Sequence, residues 1–573
     1  MKTIITFLKP YYIHIIIAYT LTFVELVTDL LFPLFLGIII NNGILPGNEQ
    51  QVIAWGTAML IITFITFASG IVNSFYASHI SVQFAYRLRE KLFNDIQRFT
   101  FEQLSKFPSS QLVTHFTNDV RQVQNTIFMA LRIMARAPFL VLGSVVMALI
   151  VNVKIASIFI VTVPLLVLFL FFVLNKGSAM FELVQRKVDD VNRIIQENIS
   201  GMRTIRSFVR VKFENRRFMQ TNRSLAKETT TSFRFVEASM PILFLGMNIS
   251  ILFILAFGHF ELSAGQTTVG DVVAIINYAL RTAMAISLFT FITLAFSRAK
   301  ASIERIDRVL QEEEITLQRY DTNISQIDGA ITFSNVSFQY ENAKKPTLRN
   351  VSFHIAARST TAIIGATGSG KSTLFKLIPR LYELNEGDIH IDGRNLNSYD
   401  ISFIRNEIGY VPQYSLLFSG TIRDNIAFGK QDATDEEIIQ AAKDAQIHAT
   451  IMQFPQQYET EIGQRGVTLS GGQQQRLSIA RALIRQPKIL MLDDSTSAID
   501  LQTERQLLQA LTAYDCTIVM ITQKISTAKR ADQIIIIDNG KVVATGSDSH
   551  LREHSSLYRH IIESQTEVTV DAI

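Results

Sequence analysis

The stretch GATGSGKST, Gly365 to Thr373, decides the fold of the second half of this chain. The apolar run TTAIIG leads into it and TLFKLI follows, so a buried strand passes through a glycine-containing loop into a helix. Gly365 to Ser372 fits the spacing G-x-x-x-x-G-K-[ST], which in this strand–loop–helix setting is a phosphate-binding loop. Gly365, Gly368 and Gly370 let the backbone curl. The N–H groups of Thr367, Ser369 and the helix start at Thr373 can then surround phosphate oxygens. Lys371 brings a point charge to the β- and γ-phosphates, and the Ser372 hydroxyl can coordinate magnesium. Further on, KILMLDD reads as a buried strand ending in two carboxylates, of which Asp493 is the second magnesium partner such a site needs.

The rest of the chain is of another kind. At 573 residues it is too long for one core. Its 48% hydrophobic and 18% charged residues, 40 phenylalanines and positive mean hydropathy of +0.23 are a membrane-protein balance. A net charge of +4 is too small to argue for nucleic acid. The single cysteine, Cys516 in the apolar DCTIVMIT, excludes a disulfide framework and reads as a buried thiol.

Six apolar segments, near 12–40, 52–78, 127–150, 154–175, 239–258 and 271–296, meet or approach the roughly 20 residues a membrane helix needs. Lys and Arg crowd the connections 79–126 and 176–238, whereas NNGILPGNEQ and HFELSAGQTTVG carry none. The positive-inside rule therefore puts both long connections, both termini and everything after Arg298 in the cytoplasm of a multi-pass cell-membrane protein. Within the long connections, SSQLVTHFTNDV and ENISGMRTIRSFVR interrupt the helical pattern and suggest hairpin tips. The expected organisation is an all-α six-helix transmembrane domain over 1–310, a linker over 311–328 and an α/β P-loop domain over 329–573.

Between the phosphate loop and Asp493 stands LSGGQQQRLSIARAL, beginning at Leu469. This order of motifs resembles the ATP-binding-cassette proteins, and the resemblance spans nearly the whole chain. It implies an exporter-type half-transporter, an ATP- and Mg2+-dependent translocase. Ser470, Gly471, Gly472 and Gln473 resemble the family signature, which binds the ATP held by a second cassette. Tyr340 resembles the aromatic that stacks on adenine, and Gln413 the glutamine that senses magnesium. Asp500 resembles the aspartate of the loop that communicates across the dimer. TEIGQRG is similar to the cross-linking loop, with Gln464 in place of the usual glutamate. The two helix breaks resemble coupling helices, around Ser110–Asp119 and Gly201–Ile205.

Two positions depart from the pattern, and both concern hydrolysis. Asp494 stands where the family keeps a glutamate, and Gln523 where it keeps a switch histidine. A well-placed general base is commonly worth ~10²–10⁴-fold in rate. Aspartate is shorter by roughly 1.5 Å. Glutamine can hydrogen-bond a γ-phosphate but cannot carry an imidazolium charge. With LSGGQ intact, the combination resembles the degenerate-site subunit of the heterodimeric multidrug exporters of bacteria, hydrolysis being ceded to a partner's site. A homodimer with two slow sites is the competing expectation, and a regulatory or channel-like protein using ATP only as a ligand is another.

The substrate is less legible. Glu25 and Asp29 share one face of the first span, with Phe32 and Phe35 close by and Phe289 and Phe291 on the sixth. Intramembrane charges usually face a cavity or a partner. Asp29 could attract lipophilic cations, or Glu25 and Asp29 could pair with Arg281 in the sixth span. Amphipathic or lipophilic compounds are the expected cargo, with a lipid flippase or peptide exporter as alternatives.

The charge pattern makes a topological prediction. In a Cys516→Ser background, cysteines at Gly47 and Gly265 should react with a membrane-impermeant maleimide in intact cells, and one at Arg203 only after lysis.

Overall fold

The computed structural model describes residues 2–312, 326–341, 343–463, 466 and 468–570; most of the expected linker and Gln464 lie outside them. The chain divides into two compact units, Met1–Arg98 with Phe107–Glu313, and Phe99–Lys106 with Glu314–Ile573.

The first unit holds six long helices, Thr3–Ile44, Glu49–Arg98, Ser109–Val151, Val153–Ser200, Val211–Ser263 and Val269–Leu310. Each has 42 to 53 residues, about twice what a bilayer requires. The excess carries the charged connections, which continue the membrane helices as the sequence suggests. Large apolar side chains such as Phe64, Val161 and Leu165 lie on the outer surface, where lipid rather than water is the compatible solvent. Inside, Phe159, Met247, Ile254 and Tyr278 form part of one buried cluster. The first and sixth spans approach so closely that a Cβ on Gly270 would stand 2.2 Å from the Gly37 carbonyl oxygen. Small residues permit such contact between membrane helices.

The expected break at Ser110–Asp119 is not one. The helix continues through Ser109–Thr114 into a π-helical turn, His115–Asp119. Asp119 anchors that turn, accepting from Arg305 Nε at 3.1 Å and meeting His115 Nδ1 at 2.7 Å. The true interruption lies earlier, at Pro108, whose ring disfavours helix in the residue before it. A short helix, Phe101–Lys106, precedes it and belongs to the second unit, where the Phe101 and Tyr382 rings lie 6.2 Å apart. At the other break, Gly201 does end its helix, and Met202–Ser207 forms a separate short helix with no buried residue.

The intramembrane charges form a closed network. Arg136 donates to Glu25 at 2.9 Å and also bonds Asp29, which in turn accepts from Arg281 at 3.0 Å. Asn73 of the second span donates to Thr22 at 2.9 Å alongside. Two carboxylates face two guanidiniums, so the cluster carries no net charge. Asp29 is thus engaged by Arg281, as one of the two sequence readings has it, and by Arg136, which sequence reasoning missed.

In the second unit, β1 (Ile331–Phe338), β2 (Leu348–Ile355), β4 (Glu386–Ile391) and β5 (Arg394–Asn395) form an antiparallel sheet in the order β2-β1-β4-β5. The central sheet is built from β3 (Thr360–Ile364), β6 (Ile408–Val411), β9 (Ile489–Asp493), β10 (Thr517–Ile521), β11 (Gln533–Asp538) and β12 (Lys541–Gly546). Its order is β12-β11-β3-β10-β9-β6, parallel except for the edge strand β12. A two-stranded ribbon, β7 (Gly420–Thr421) with β8 (Glu461–Ile462), completes the strands among the described residues. Continuous apolar runs such as ILMLD and TIVMI are what burial on both faces demands. Side chains alternate between two cores, Leu490, Leu492, Ile518 and Met520 entering one and Ile489, Met491, Val519 and Ile521 the other. Cys516 is buried, as its apolar context implies.

The charge network yields the prediction for this fold. Arg136→Met strands Glu25, which is only 4% exposed, and should cost about 3–5 kcal/mol. Adding Glu25→Gln leaves Asp29 and Arg281 as a neutral pair and should recover most of the loss, read as thermal inactivation midpoints in nanodiscs.

Candidate nucleotide site

Four loops meet at the carboxyl ends of four neighbouring parallel strands. The phosphate loop leaves β3, Gln523 follows β10, Asp493 ends β9 with Asp494 next, and Gln413 follows β6. In the sheet register Ile521 lies beside both Ile363 and Asp493, and Val411 beside Leu492, so residues far apart in sequence arrive at one edge. The carboxyl edge of a parallel sheet is the usual place for a ligand.

The shared cavity, about 220 Å3, is lined by Thr367, Gly368, Gly370, Lys371, Ser372, Thr373, Gln413, Asp493, Asp494 and Gln523, with Thr347 and Ile521. Ser372 Oγ donates to Asp493 Oδ1 at 3.3 Å, placing the two expected magnesium partners side by side. Gln413 Nε2 stands 3.5 Å from Asp494 Oδ2. Lys371 folds back on its own loop, donating to the Gly365 and Ala366 carbonyls at 2.8 Å each. Gly365 cannot be replaced, because a Cβ there would meet the Ile537 carbonyl oxygen at 2.1 Å. Asp494 adopts a left-handed backbone, φ 47°, and its N–H donates to the Ile521 carbonyl at 3.0 Å.

The electrostatics suit a magnesium–phosphate ligand. Burial lifts the carboxyls of Asp493 and Asp494 above the ordinary carboxylate range, against the opposing hydrogen bonds of Ser372 and Gln413. Burial likewise pulls the Lys371 ammonium below its usual value. A bound magnesium–phosphate group would favour the charged form of all three groups. Among the described residues Ser369 Oγ is buried with no hydrogen-bond partner, an orphan the same ligand could satisfy.

Tyr340 lies beside the loop, its hydroxyl 3.1 Å from Thr373 Oγ1 and its ring edge-on to Tyr382 at 5.3 Å. Ser470 caps the helix Gly471–Leu483 in a reciprocal pair with Gln473, whose side chain accepts from the Ser470 N–H at 2.8 Å. These signature residues do not line the phosphate cavity of their own chain. Asp500 caps the helix Leu501–Leu511, and hydrogen bonds from the Thr503 and Gln502 amides hold its carboxyl below the ordinary range.

Two residues of this region escaped sequence reasoning. Gln475 joins the signature helix to Ser497 at 3.2 Å and to the Ala498 N–H at 3.1 Å. Buried Glu504 accepts from Lys524 at 2.9 Å and from Thr496 at 2.7 Å, tying the segment after β10 to the segment after β9. A charged residue on the inward face of an amphipathic helix was the available signal for Glu504.

The comparisons with known proteins agree with this geometry. The family described as ABC transporter transmembrane region matches residues 15–286, and that described as ABC transporter matches 348–497. The "Uncharacterized ABC transporter ATP-binding protein YfiB" of Bacillus subtilis is 50% identical over 566 residues, 99% of this chain and 98% of its own. The chain belongs to the ABC transporter family. This ABC transporter is also 31% identical to the "Putative multidrug export ATP-binding/permease protein YgaD" of Bacillus subtilis, over 99% of both chains. A solved bacterial Atm1-family ABC exporter with ATP bound shares the fold, with a TM-score of 0.80 and 24% identity over 96% of this chain and 98% of that one. The chain thus combines one transmembrane region with one ATP-hydrolysing cassette in the ABC exporter fold.

Lys371→Ala should weaken ATP binding to this ABC transporter by more than about 100-fold, equivalent to about 2.7 kcal/mol. Equilibrium binding of a fluorescent ATP analogue checks this, with an unchanged thermal midpoint showing that the fold survives.

Proposed function

We propose that this chain is one subunit of a heterodimeric exporter of amphipathic compounds, and that its own nucleotide site binds ATP but seldom hydrolyses it. The observation carrying this reading is that Asp494 and Gln523 line the phosphate cavity from two adjacent strands. Both positions where hydrolysis needs a base or a switch are thus altered around one phosphate. Asp494 carries charge but falls roughly 1.5 Å short of a glutamate's reach. A misplacement of that order can cost ~10²-fold.

Each remaining residue has a role in this reading. The phosphate-loop amides, Lys371 and Thr373 hold the triphosphate, while Tyr340 stacks on the base. Ser372 and Asp493, with Gln413, would hold magnesium, which supplies charge neutralisation between the phosphate groups. Ser470, Gly471, Gly472 and Gln473 face outward to a second cassette, whose glutamate and histidine would complete the hydrolytic site. Asp500 lies on the segment joining the two sites. The helices at Phe101–Lys106 and Met202–Ser207 would carry the motion to the membrane helices.

The membrane cluster bears on the cargo. Because Glu25 and Asp29 are neutralised by Arg136 and Arg281, the network offers no net field to lipophilic cations. Apolar and amphipathic surface is left to select substrates. The relatives named for multidrug export support this class. We place the protein in the cell membrane with its cassette cytoplasmic.

Asp494→Glu with Gln523→His should raise ATP turnover of the purified complex several-fold, the gain disappearing on adding Lys371→Ala. Unchanged turnover would remove the degenerate-site reading. Separately, Tyr340→Ala should weaken ATP binding by about 5- to 150-fold, the range expected for loss of one base–aromatic stack.

A further inference from the structure

Below the segment after β10 lies a cleft that the nucleotide site does not use. It has a volume of about 440 Å3, in the range of small-molecule sites. Its walls come from the helix Leu501–Leu511, the short helix Ile525–Ala528 and the C-terminal helix Ser556–Val570. Leu501, Leu508 and Ile562 give the lining apolar surface, and Arg505, between the two leucines on one helical face, gives it positive charge with Lys529 and Arg530. A second cavity, of about 400 Å3, also borders Arg505, Leu508 and Arg530. Among the described residues of the lining the one acid, Glu504, is committed to Lys524 at 2.9 Å and adds no free charge. Among the described residues, no ion pair occupies Arg505, Lys529 or Arg530.

The cleft touches the nucleotide site through two hydrogen-bonded routes. Gln565 of the C-terminal helix brackets the switch position, donating to the Gln523 carbonyl at 2.6 Å and accepting from the Ile525 N–H at 3.0 Å. Glu504, in the cleft wall, holds Thr527 at 3.0 Å, Thr496 at 2.7 Å and Lys524. Gln523 lines the phosphate cavity, and Thr496 lies three residues after Asp493.

We propose that this cleft is a regulatory site for an organic phosphate with a short apolar body, whose binding stiffens the Gln565 clamp on the switch segment. Two guanidiniums and an ammonium match a phosphate dianion, for which charge-assisted bonds are strong. Leu501, Leu508 and Ile562 beside them take the organic part. The site is separate from the ATP cavity and does not depend on which chain performs hydrolysis.

The test uses the full-length protein, in the complex it forms, in nanodiscs with saturating ADP to keep the phosphate loop filled. Hexyl phosphate is titrated while hydrogen–deuterium exchange is followed by mass spectrometry. Exchange should slow in Leu501–Leu511 and around residues 523–528, at concentrations at least about tenfold below those at which inorganic phosphate acts. Arg505→Ala with Arg530→Ala should raise the half-saturating concentration at least about tenfold, and Lys529→Gln, a milder exposed change, about threefold. With Gln565→Ala, protection should persist in Leu501–Leu511 and vanish at 523–528. Protection that ignores all three cations, that inorganic phosphate reproduces equally well, or that is confined to the membrane spans would overturn the proposal.

Discussion

The central parallel strands of the second unit have no water on either face, and the nucleotide site depends on that constraint. A strand buried on both faces must be apolar throughout, so polar function can begin only where the strand ends. β9 shows this directly, with Ile489 to Leu492 filling two cores before Asp493 emerges. The phosphate loop, Gln413, Asp494 and Gln523 are set by the same rule, one strand end apiece. Convergence follows from strand order alone, which places β3, β10, β9 and β6 side by side.

The membrane unit obeys an analogous constraint with opposite consequences. Hydrocarbon cannot solvate charge, so Glu25, Asp29, Arg136 and Arg281 neutralise one another across three spans. Such a network need not stabilise the fold relative to apolar packing, since desolvation offsets much of the attraction. It does fix which faces of the spans meet, because any rotation would strand a charge. A half-transporter that rearranges its spans must carry this cluster as one body or exchange its pairs.

Much of this architecture was legible in the sequence. Six long apolar segments followed by an alternating α/β pattern define the fold class, and Gly365–Thr373 reads as a phosphate loop from local spacing alone. What could not be read locally was pairing between distant elements. Arg136 sits at the edge of an apolar stretch, and nothing in its neighbourhood indicates that its partners lie on the first span. Ser110–Asp119 looks like a break because polar residues cluster there, yet Arg305 and His115 hold Asp119 and the helix continues. Pro108 was the better signal. The pairing of Asp494 with Gln523 depended on resemblance, since only sheet order brings them to one cavity. The clamp of Gln565 on Gln523 was invisible for the same reason.

The account rests on one division of labour, in which this chain supplies an intact signature and a weak hydrolytic site to an unlike partner. Subunit composition tests it most directly. The chain would be tagged, extracted gently from its native membrane, and its co-purifying subunits identified with their stoichiometry. The account predicts a 1:1 complex with a second ABC half-transporter that has glutamate and histidine where this chain has Asp494 and Gln523. A complex of this chain with itself alone would contradict it, and Asp494 would then have to serve as the working hydrolytic residue.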